Sequence, residues 1–123
     1  MPEFRTYTVP YPPSVNRIWR AVEGRVVLSK EGREYYRRAE GYVLKPGRVP
    51  PAITGRCVVW VRLWVPDNRA RDIDNPIKVI FDLLTRCKVW LDDSQVDELH
   101  VSRAPKVEHG KVDIMIQHEQ ENT

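Results

Sequence analysis

Alternating apolar and polar residues predict most of the β-strands of this chain. The period-two pattern indicates strands at 5–9, 98–104 and 111–118, and a β-branched apolar run indicates another at 57–65. Two further strands, 17–21 and 25–28, are expected to form a hairpin with its turn at Glu23-Gly24. The segment 57–65 is β-branched and apolar on both faces, which is typical of a central strand that is covered on both sides.

A helical period of apolar residues predicts two main helices. In the second half of the chain, apolar side chains recur three and four residues apart, at Ile77, Ile80, Phe81 and Leu84. Asn75 is expected to cap this helix, with Pro76 at the first helical position, and the helix should end near residue 86 or 87. In the first half, Ser29 can cap a helix over 30–44.

Length and element order fit one domain over residues 1–123. Strands and helices mix irregularly, which predicts a single-domain α+β fold, with a mixed β-sheet packed against two main helices. The longest apolar stretch, 57–66, is interrupted by Arg62 and is too short to cross a bilayer, and the N-terminus does not resemble a signal peptide. A cytoplasmic location and no membrane partner are therefore expected. Cys57 and Cys87 are expected to be buried free thiols.

Basic and acidic residues divide unevenly along the chain. Residues 1–71 contain fourteen Lys and Arg against six Asp and Glu, a net +8, whereas residues 72–123 contain six against eleven, a net −5. This asymmetry suggests that one part of the protein holds a polyanion and the other holds a metal ion. The alternative is an ordinary solvated surface, because such counts are weak indicators of nucleic-acid binding.

Four aspartates in two short clusters are the candidate chemistry. Asp72 and Asp74 lie two residues apart, so in an extended segment both side chains project to one side while Ile73 points into the core. Asp92 and Asp93 follow the predicted helix, and one of them could return to complete a three-carboxylate cluster. An all-oxygen cluster without a nearby His or Cys suits Mg²⁺, with Mn²⁺ as the alternative.

A lysine near the first acidic pair adds a second chemical group. Lys78 lies four residues after Asp74, one helical turn on, and can overhang the same site. In phosphodiester cleavage, a carboxylate-held cation stabilises the negative charge and helps to generate hydroxide, and an ammonium adds electrostatic stabilisation or takes part in proton transfer. Taken singly, each aspartate can instead cap a helix or close a turn, and the lysine can simply be solvated.

Four motifs together carry a family resemblance. They are Arg71-Asp72-Ile73-Asp74-Asn75-Pro76-Ile77-Lys78, Phe81-Asp82-Leu83-Leu84, Leu91-Asp92-Asp93-Ser94-Gln95-Val96 and Pro12-Pro13-Ser14-Val15-Asn16-Arg17. In sequence and order they resemble the RusA-type endodeoxyribonucleases, which are Holliday junction resolvases of bacteria, their phages and prophages. The resemblance covers almost the whole chain and is loosest over 40–56.

The resemblance implies a metal-dependent homodimer that makes paired symmetric nicks in four-way junction DNA, in recombination and repair. The metal ligands would be Asp72, Asp74 and Asp93, and Lys78 would be the essential lysine of the active site. Asp92 would be a supporting or capping group. Two alternatives stay open, namely a structure-selective protein that binds branched DNA without turnover, and a nuclease for other branched DNA.

Eight further residues are candidate DNA contacts. Arg69 and Arg71 directly precede the acidic pair, where they could hold phosphates close to the metal. The others come from a basic stripe on the first predicted helix and from the N-terminal motif with its neighbour: Lys30, Arg33, Arg37, Asn16, Arg17 and Arg20. Each can alternatively be a solvated surface group. The tryptophans at 19, 60, 64 and 90 are expected in the core or at a dimer contact, and the three histidines are assigned no role.

Overall fold

The elements of the chain alternate irregularly between strand and helix. The structure is a computed structural model that describes residues 1–45 and 49–119. In chain order it contains β1 (Pro2–Val9), α1 (Val15–Ile18), β2 (Trp19–Val22), β3 (Arg25–Leu28), α2 (Lys30–Val43), β4 (Cys57–Trp64), α3 (Asn75–Arg86), a 3₁₀ turn (Asp93–Gln95), β5 (Val96–Ala104) and β6 (Lys111–Glu119).

Four of the strands form one sheet in the order β1-β6-β4-β5. Strand β6 pairs antiparallel with β1 and with β4, whereas β4 and β5 run parallel. Parallel neighbours need a crossover, and α3 supplies it. The loop 65–74 leads into that helix and the segment 87–92 leads out of it. The predicted α+β class with a mixed sheet is confirmed.

One face of the sheet packs against the helices. The buried residues of β4 alternate along the strand and form one core with the apolar stripe of α3: Cys57, Val59, Val61, Leu63, Ile77, Val79, Ile80, Leu83 and Leu84. The predicted period of α3 is therefore confirmed. Burial of this stripe, rather than helix propensity alone, stabilises a helix of twelve residues.

The other face of the sheet is only partly buried. Trp60 of β4 stacks on His100 of β5 with ring centroids 5.3 Å apart, and Trp64 Nε1 donates a hydrogen bond to Asp113 at 2.9 Å. These aromatic rings pack against side chains of neighbouring strands and remain partly accessible. The central position of β4 is confirmed, but the prediction that it is covered on both sides is wrong for this chain.

The predicted hairpin is present but begins later. Strands β2 and β3 pair antiparallel, and Glu23 and Gly24 have φ angles of 48° and 74°, as a two-residue type I′ turn requires. Residues 15–18, however, form the short helix α1. Its end packs closely on α2, because a Cβ atom at Gly32 would come within 2.5 Å of the carbonyl oxygen of Ile18. Glycine at position 32 therefore permits this approach.

The two main helices begin differently. Ser29 caps α2 as predicted, since its Oγ accepts a hydrogen bond from the backbone nitrogen of Gly32 at 2.9 Å. For α3 the N-cap is Asp74, and Asn75 is the first helical residue. The prediction that Asn75 caps this helix is wrong, because its Oδ1 accepts a hydrogen bond from the backbone nitrogen of Val15 at 3.0 Å. That bond joins the start of α1 to the start of α3.

The structure bears on the state of the two cysteines and on the possibility of a membrane-crossing helix. Cys57 and Cys87 are both buried and neither forms a disulfide, as predicted. Among residues 1–45 and 49–119, no helix combines the length and the apolar character that a membrane crossing needs.

Candidate active site around helix α3

The first acidic pair lies where the chain enters α3. Asp72 and Asp74 are both exposed, and Asp74 occupies the N-cap position without accepting a capping hydrogen bond. Ile73 is 40% exposed, so the prediction that it points into the core is wrong. Residues 72–74 are not part of a paired strand, which is what would impose alternation between core and solvent. Two carboxylates are therefore open to solvent at the N-terminus of α3, where the helix dipole favours negative charge.

The loop before this pair is held by charged hydrogen bonds. Arg71 Nη1 donates to Asp67 Oδ1 at 2.5 Å, and the same oxygen accepts from the backbone nitrogen of Arg69 at 2.9 Å. From β5, Arg103 Nη2 donates to the carbonyl oxygen of Arg71 at 2.7 Å. The hydrogen bond from Arg71, followed by that from the Arg69 backbone, holds the pKa of Asp67 well below its usual value. The backbone that precedes Asp72 is thus attached on two sides.

One face of α3 carries charged side chains at intervals of four residues. Asp74, Lys78 and Asp82 follow one another by one helical turn. Burial raises the pKa of the Asp82 carboxyl, the negative charge of Asp93 raises it further, and Lys78 and Arg86 oppose the shift. The Asp82 carboxyl is therefore near enough to Lys78 and to Asp93 to feel the charge of both. It is not among the predicted site residues, although its four-residue spacing from Lys78 is visible in the sequence.

A buried tryptophan turns the segment that follows α3 back along the helix. Trp90 is fully buried, its ring meets that of Phe81 edge-on at 5.2 Å, and its Nε1 donates to Thr85 Oγ1 at 2.7 Å. The core placement predicted for Trp90 is confirmed. These contacts direct the segment that leaves α3 back along the helix and position the turn that contains Asp93.

A buried amide fixes this turn. Gln95 is 8% exposed. Its Oε1 accepts hydrogen bonds from the backbone nitrogens of Leu91 and Asp92, both at 2.9 Å. Its Nε2 donates to the carbonyl oxygens of Ile53 and Gly55, at 2.8 and 2.9 Å. Both acceptor positions and both N–H groups of the amide are therefore used, and the turn is tied to the segment that precedes β4.

The adjacent aspartates of the turn have different environments. Asp92 caps the 3₁₀ turn: its carboxylate accepts from the backbone nitrogen of Ser94 at 3.0 Å, and hydrogen bonding by Ser94 lowers the pKa of Asp92. The capping role considered for Asp92 is thus observed. Asp93 is exposed and makes no hydrogen bond through its side chain to the rest of the described chain. Of the two, Asp93 is the one whose carboxylate is left for a ligand.

The predicted metal ligands do not form a closed cage in one chain. Within residues 1–45 and 49–119, no three His, Cys, Asp or Glu side chains converge closely enough to hold a metal ion. Asp72 and Asp74 lie at one end of the charged face of α3, and Asp93 interacts with Asp82 farther along it. The donor set still suits a hard cation, because Mg²⁺ commonly keeps several waters and binds one or two carboxylates plus substrate phosphates.

A cleft of about 1050 Å³ opens beside the first acidic pair, and Asp72 forms part of its wall. Five arginines line it: Arg17, Arg37, Arg38, Arg69 and Arg71. Glu31 and Glu34 also line it, and Glu31 Oε2 lies 3.1 Å from Arg17 Nε. The cleft therefore presents a mainly positive surface that leads to a carboxylate.

The cleft separates the predicted DNA contacts into two groups. Arg17, Arg37, Arg69 and Arg71 line it, whereas the other four lie outside: Asn16, Arg20, Lys30 and Arg33. The lining also includes Tyr11, Arg38 and His109, none of which is in the predicted set. Arg38 directly follows Arg37, so its charge was visible, but the predicted stripe favoured the neighbouring helical face. Tyr11 and His109 have no signal in the sequence, because residues that are distant in sequence meet at the cleft only in the folded chain.

Comparison with known proteins gives one consistent result. Residues 10–117 match the family model described as Endodeoxyribonuclease RusA. Similar relatives include the proteins named crossover junction endodeoxyribonuclease RusA from Escherichia coli (strain K12), Enterobacteria phage 82 and Shigella sonnei (strain Ss046), each 35% identical over 109 residues. In each case the match covers 89% of this chain and 90% of the relative.

Proposed function

The chain belongs to the RusA endodeoxyribonuclease family, and from that premise we propose that it resolves four-way (Holliday) junctions by metal-dependent, paired symmetric nicks. Such a reaction serves DNA recombination and repair. The observation that carries the proposal is the arginine-lined cleft that reaches the exposed carboxylate of Asp72. A polyanion held in this cleft has its phosphates next to the acidic pair.

Asp72, Asp74 and Asp93 are the proposed ligands of Mg²⁺, or of Mn²⁺ in its place. All three are exposed, and Asp74 leaves its capping position unused, so their oxygens are available to a cation. When bound, the ion stabilises negative charge on the reacting phosphate and lowers the pKa of water. These three carboxylates would hold the ion next to the phosphates of the bound strand.

Lys78 is the proposed catalytic amine. It is exposed on α3, between Asp74 and Asp82 in steps of four residues. Its ammonium is close enough to Asp82 to oppose the rise in the pKa of that carboxyl. From there it can stabilise negative charge on the phosphate or pass a proton to the leaving oxygen.

The cleft is the proposed path of one DNA strand. Guanidinium groups bind phosphates through paired hydrogen bonds. Besides Arg71, which is held by Asp67, four arginines line the cleft: Arg17, Arg37, Arg38 and Arg69. Of these four, Arg69 also contacts Asp67. Asn16, Arg20, Lys30 and Arg33 remain candidates for contacts to neighbouring arms of the junction. A four-way junction extends well beyond one cleft, so contacts outside it are expected.

We also propose that the active species is a homodimer. Paired cuts related by the symmetry of a junction are most simply made by two sites related by a twofold axis. Light scattering coupled to gel filtration should give the mass of two chains, and a monomer that still makes paired cuts would reject this part of the proposal.

The deciding experiment is a cleavage assay on a synthetic four-way junction with Mg²⁺, with Mn²⁺ and with EDTA. We expect paired nicks with either metal and none with EDTA. Linear duplex, flapped and three-way DNA of matched sequence serve as controls in the same reactions.

The controls separate the proposal from its alternatives. Tight junction binding without metal-dependent nicking would instead indicate a structure-selective binding protein. Equal cleavage of flapped and four-way DNA would indicate a nuclease for branched DNA in general.

A further inference from the structure

The loop that joins β5 to β6, residues 105–110, reaches the wall of the arginine-lined cleft through His109. The proposed reaction gives this residue no task. Its side chain is 85% exposed, and its polar contact with the described chain is with Glu108, whose Oε1 lies 3.5 Å from His109 Nε2. The imidazole is therefore open to a ligand in the cleft.

The backbone of this loop is fixed by hydrogen bonds and by close packing. The backbone nitrogen of Val107 donates to the carbonyl oxygen of Val65 at 3.0 Å, and that of Gly110 donates to the carbonyl oxygen of Val107 at 3.0 Å, which closes a β-turn. A Cβ atom at Gly110 would come within 2.9 Å of Tyr11 Cβ. The loop thus lies directly against Tyr11, another lining residue of the cleft, and presents His109 from a rigid support.

The backbone conformation of His109 is unusual for its residue type. His109 is the third residue of the turn that Gly110 closes, and its φ angle is 66°. A positive φ at this position is ordinarily supplied by glycine or asparagine, because a larger side chain is strained there. Residues held in such strain cluster at sites where ligands bind. Within residues 1–45 and 49–119 the imidazole has only the exposed Glu108 as a polar partner, so the fold gains little from a histidine here.

We propose that His109 is a DNA contact, which binds a phosphate in the cleft together with the lining arginines and binds it more strongly when the imidazole is protonated. This inference rests on the proposed function. Histidine side chains gain a positive charge as the pH falls through about 6.5. A protonated ring forms a charge-assisted hydrogen bond with a phosphate oxygen, which is stronger than one from a neutral ring. Binding of DNA and protonation of the ring therefore favour each other.

Charged groups of both signs surround this position. On the same loop, Glu108 favours the protonated imidazole and the exposed Lys106 opposes it. The neighbouring loop 65–74 contributes two acidic and two basic side chains: Asp67, Asp72, Arg69 and Arg71. Burial raises the pKa of Tyr11, so this residue stays neutral, and Lys111 at the start of β6 lies over the Trp64 ring. The charged residues of α1 and α2 described above complete the lining. On the two loops the three acidic and three basic groups balance, so a bound phosphate adds the negative charge that favours the protonated ring.

The test compares His109→Asn with a matched variant, His100→Asn. Asparagine tolerates a positive φ and does not ionise, so His109→Asn removes the charge without straining the turn. His100 also lies beside a glutamate, since its Nε2 is 3.4 Å from Glu98 Oε1, but it stands on β5 outside the cleft. Fluorescence anisotropy measures binding of a labelled synthetic four-way junction in EDTA, at about pH 5.5 and about pH 8 and at several salt concentrations. Thermal unfolding at both pH values checks that each variant is folded.

We expect the wild-type protein and His100→Asn to bind the junction more tightly at the lower pH than His109→Asn does, by roughly 2- to 5-fold, as for one exposed charge pair. At the higher pH the three proteins should bind alike. At the lower pH, the slope of log affinity against log salt should be steeper by about one for the wild type than for His109→Asn.

A permanent charge at the same position should replace the protonated ring. His109→Lys should bind the junction at the higher pH as tightly as the wild type does at the lower pH. The chain already holds a lysine in this backbone conformation, since the φ angle of Lys88 is 60°.

His109→Gly tests the argument from strain. Glycine adopts a positive φ freely, so this variant should raise the Tm by about 2–5 °C and lose the pH-dependent part of junction binding. A lower Tm would show that the fold needs the imidazole, and would contradict the argument.

Two results would overturn the inference. One is junction binding by His109→Asn with the same pH dependence as the wild type, and the other is an equal loss of that dependence in His100→Asn. The proposed function fails by a different result, namely a wild-type protein that binds the junction but makes no metal-dependent nicks. In that case the binding comparison still decides the role of His109.

Discussion

The two segments that contain the acidic residues are held in place by different interactions. Before α3, the loop that leads to Asp72 is held at the surface by charged side chains centred on Asp67. After α3, the turn that contains Asp93 is held by the buried amide of Gln95. Exposed ion pairs contribute little to stability and weaken with salt. A buried amide is costly to leave unpaired and does not titrate. Disturbing the first segment should therefore cost less stability than disturbing the second.

The largest expected effect follows from removing one carboxylate from each segment. Asp72→Asn and Asp93→Asn should each lower the rate of junction cleavage by roughly 100- to 1000-fold, because transition-state charge loses its stabilisation. Junction binding in EDTA should survive in both. The single-turnover rate at saturating Mg²⁺ is the measurement. Equal losses would show that catalysis needs both segments despite their different supports, and full activity in either variant would reject the metal assignment.

The next largest expected effect is on the free energy of unfolding, which should depend more on the second segment than on the first. Gln95→Ala leaves buried backbone groups without partners and should lower the free energy of unfolding by about 2–4 kcal/mol. Urea denaturation measures this change. Gln117→Ala, at a half-exposed position of β6, is the control and should change little. Asp67→Asn should move the urea midpoint less than Gln95→Ala does. The comparison fails if the surface substitution is the more destabilising of the two.

Only the first segment borders the cleft, so DNA binding should depend on that side. Arg38→Ala should weaken junction binding several-fold and reduce the slope of log affinity against log salt by about one, since one phosphate contact is lost. Arg25→Ala, exposed on the β2–β3 hairpin and outside the cleft, is the control. Binding titrations at several salt concentrations give the slope. An unchanged slope for Arg38→Ala would argue against the cleft as the DNA path.

The smallest effect concerns Asp82, the neighbour of the second segment. Because burial raises its folded-state pKa, the stability that Asp82 contributes is fully present below its unfolded pKa of about 3.9 and is lost as pH rises through the folded-state pKa. Asp82→Asn should therefore raise the Tm at pH 7, by at most about 4 °C. The gain should disappear near pH 3. Thermal unfolding of Asp82→Asn and of the unchanged protein at the two pH values measures this difference. A lower Tm for the variant at pH 7 would contradict the prediction.

Periodicity was sufficient for much of the fold. The strands, the apolar stripe of α3 and the Ser29 cap depend on residues that are close in sequence, where patterns of two and of three to four residues apply directly. The same local logic failed for Asn75, whose side chain bonds to a residue sixty positions away. It also failed for Ile73, because a short irregular segment does not follow the alternation of a strand.

The site shows the same limit more clearly. Motif spacing singles out the four aspartates as candidates, but it does not distinguish Asp92, which caps a turn, from Asp93, which is left exposed. Part of the support of each segment comes from distant residues, since Gln95 bonds to Ile53 and Gly55 and the loop before Asp72 bonds to Arg103. Hydrogen bonds between residues thirty or more positions apart leave no periodic signal in a sequence.

The thiol of Cys57 makes the rigidity of the second segment measurable. Its Sγ lies 3.8 Å from the carbonyl oxygen of Gln95, and burial raises its pKa, so little reactive thiolate is present in the closed state at neutral pH. A maleimide can modify this sulfur only while the surrounding structure is open. The rate of alkylation, followed by mass spectrometry, therefore reports how often this region opens locally. Comparing that rate with and without junction DNA would reveal whether substrate binding slows the opening.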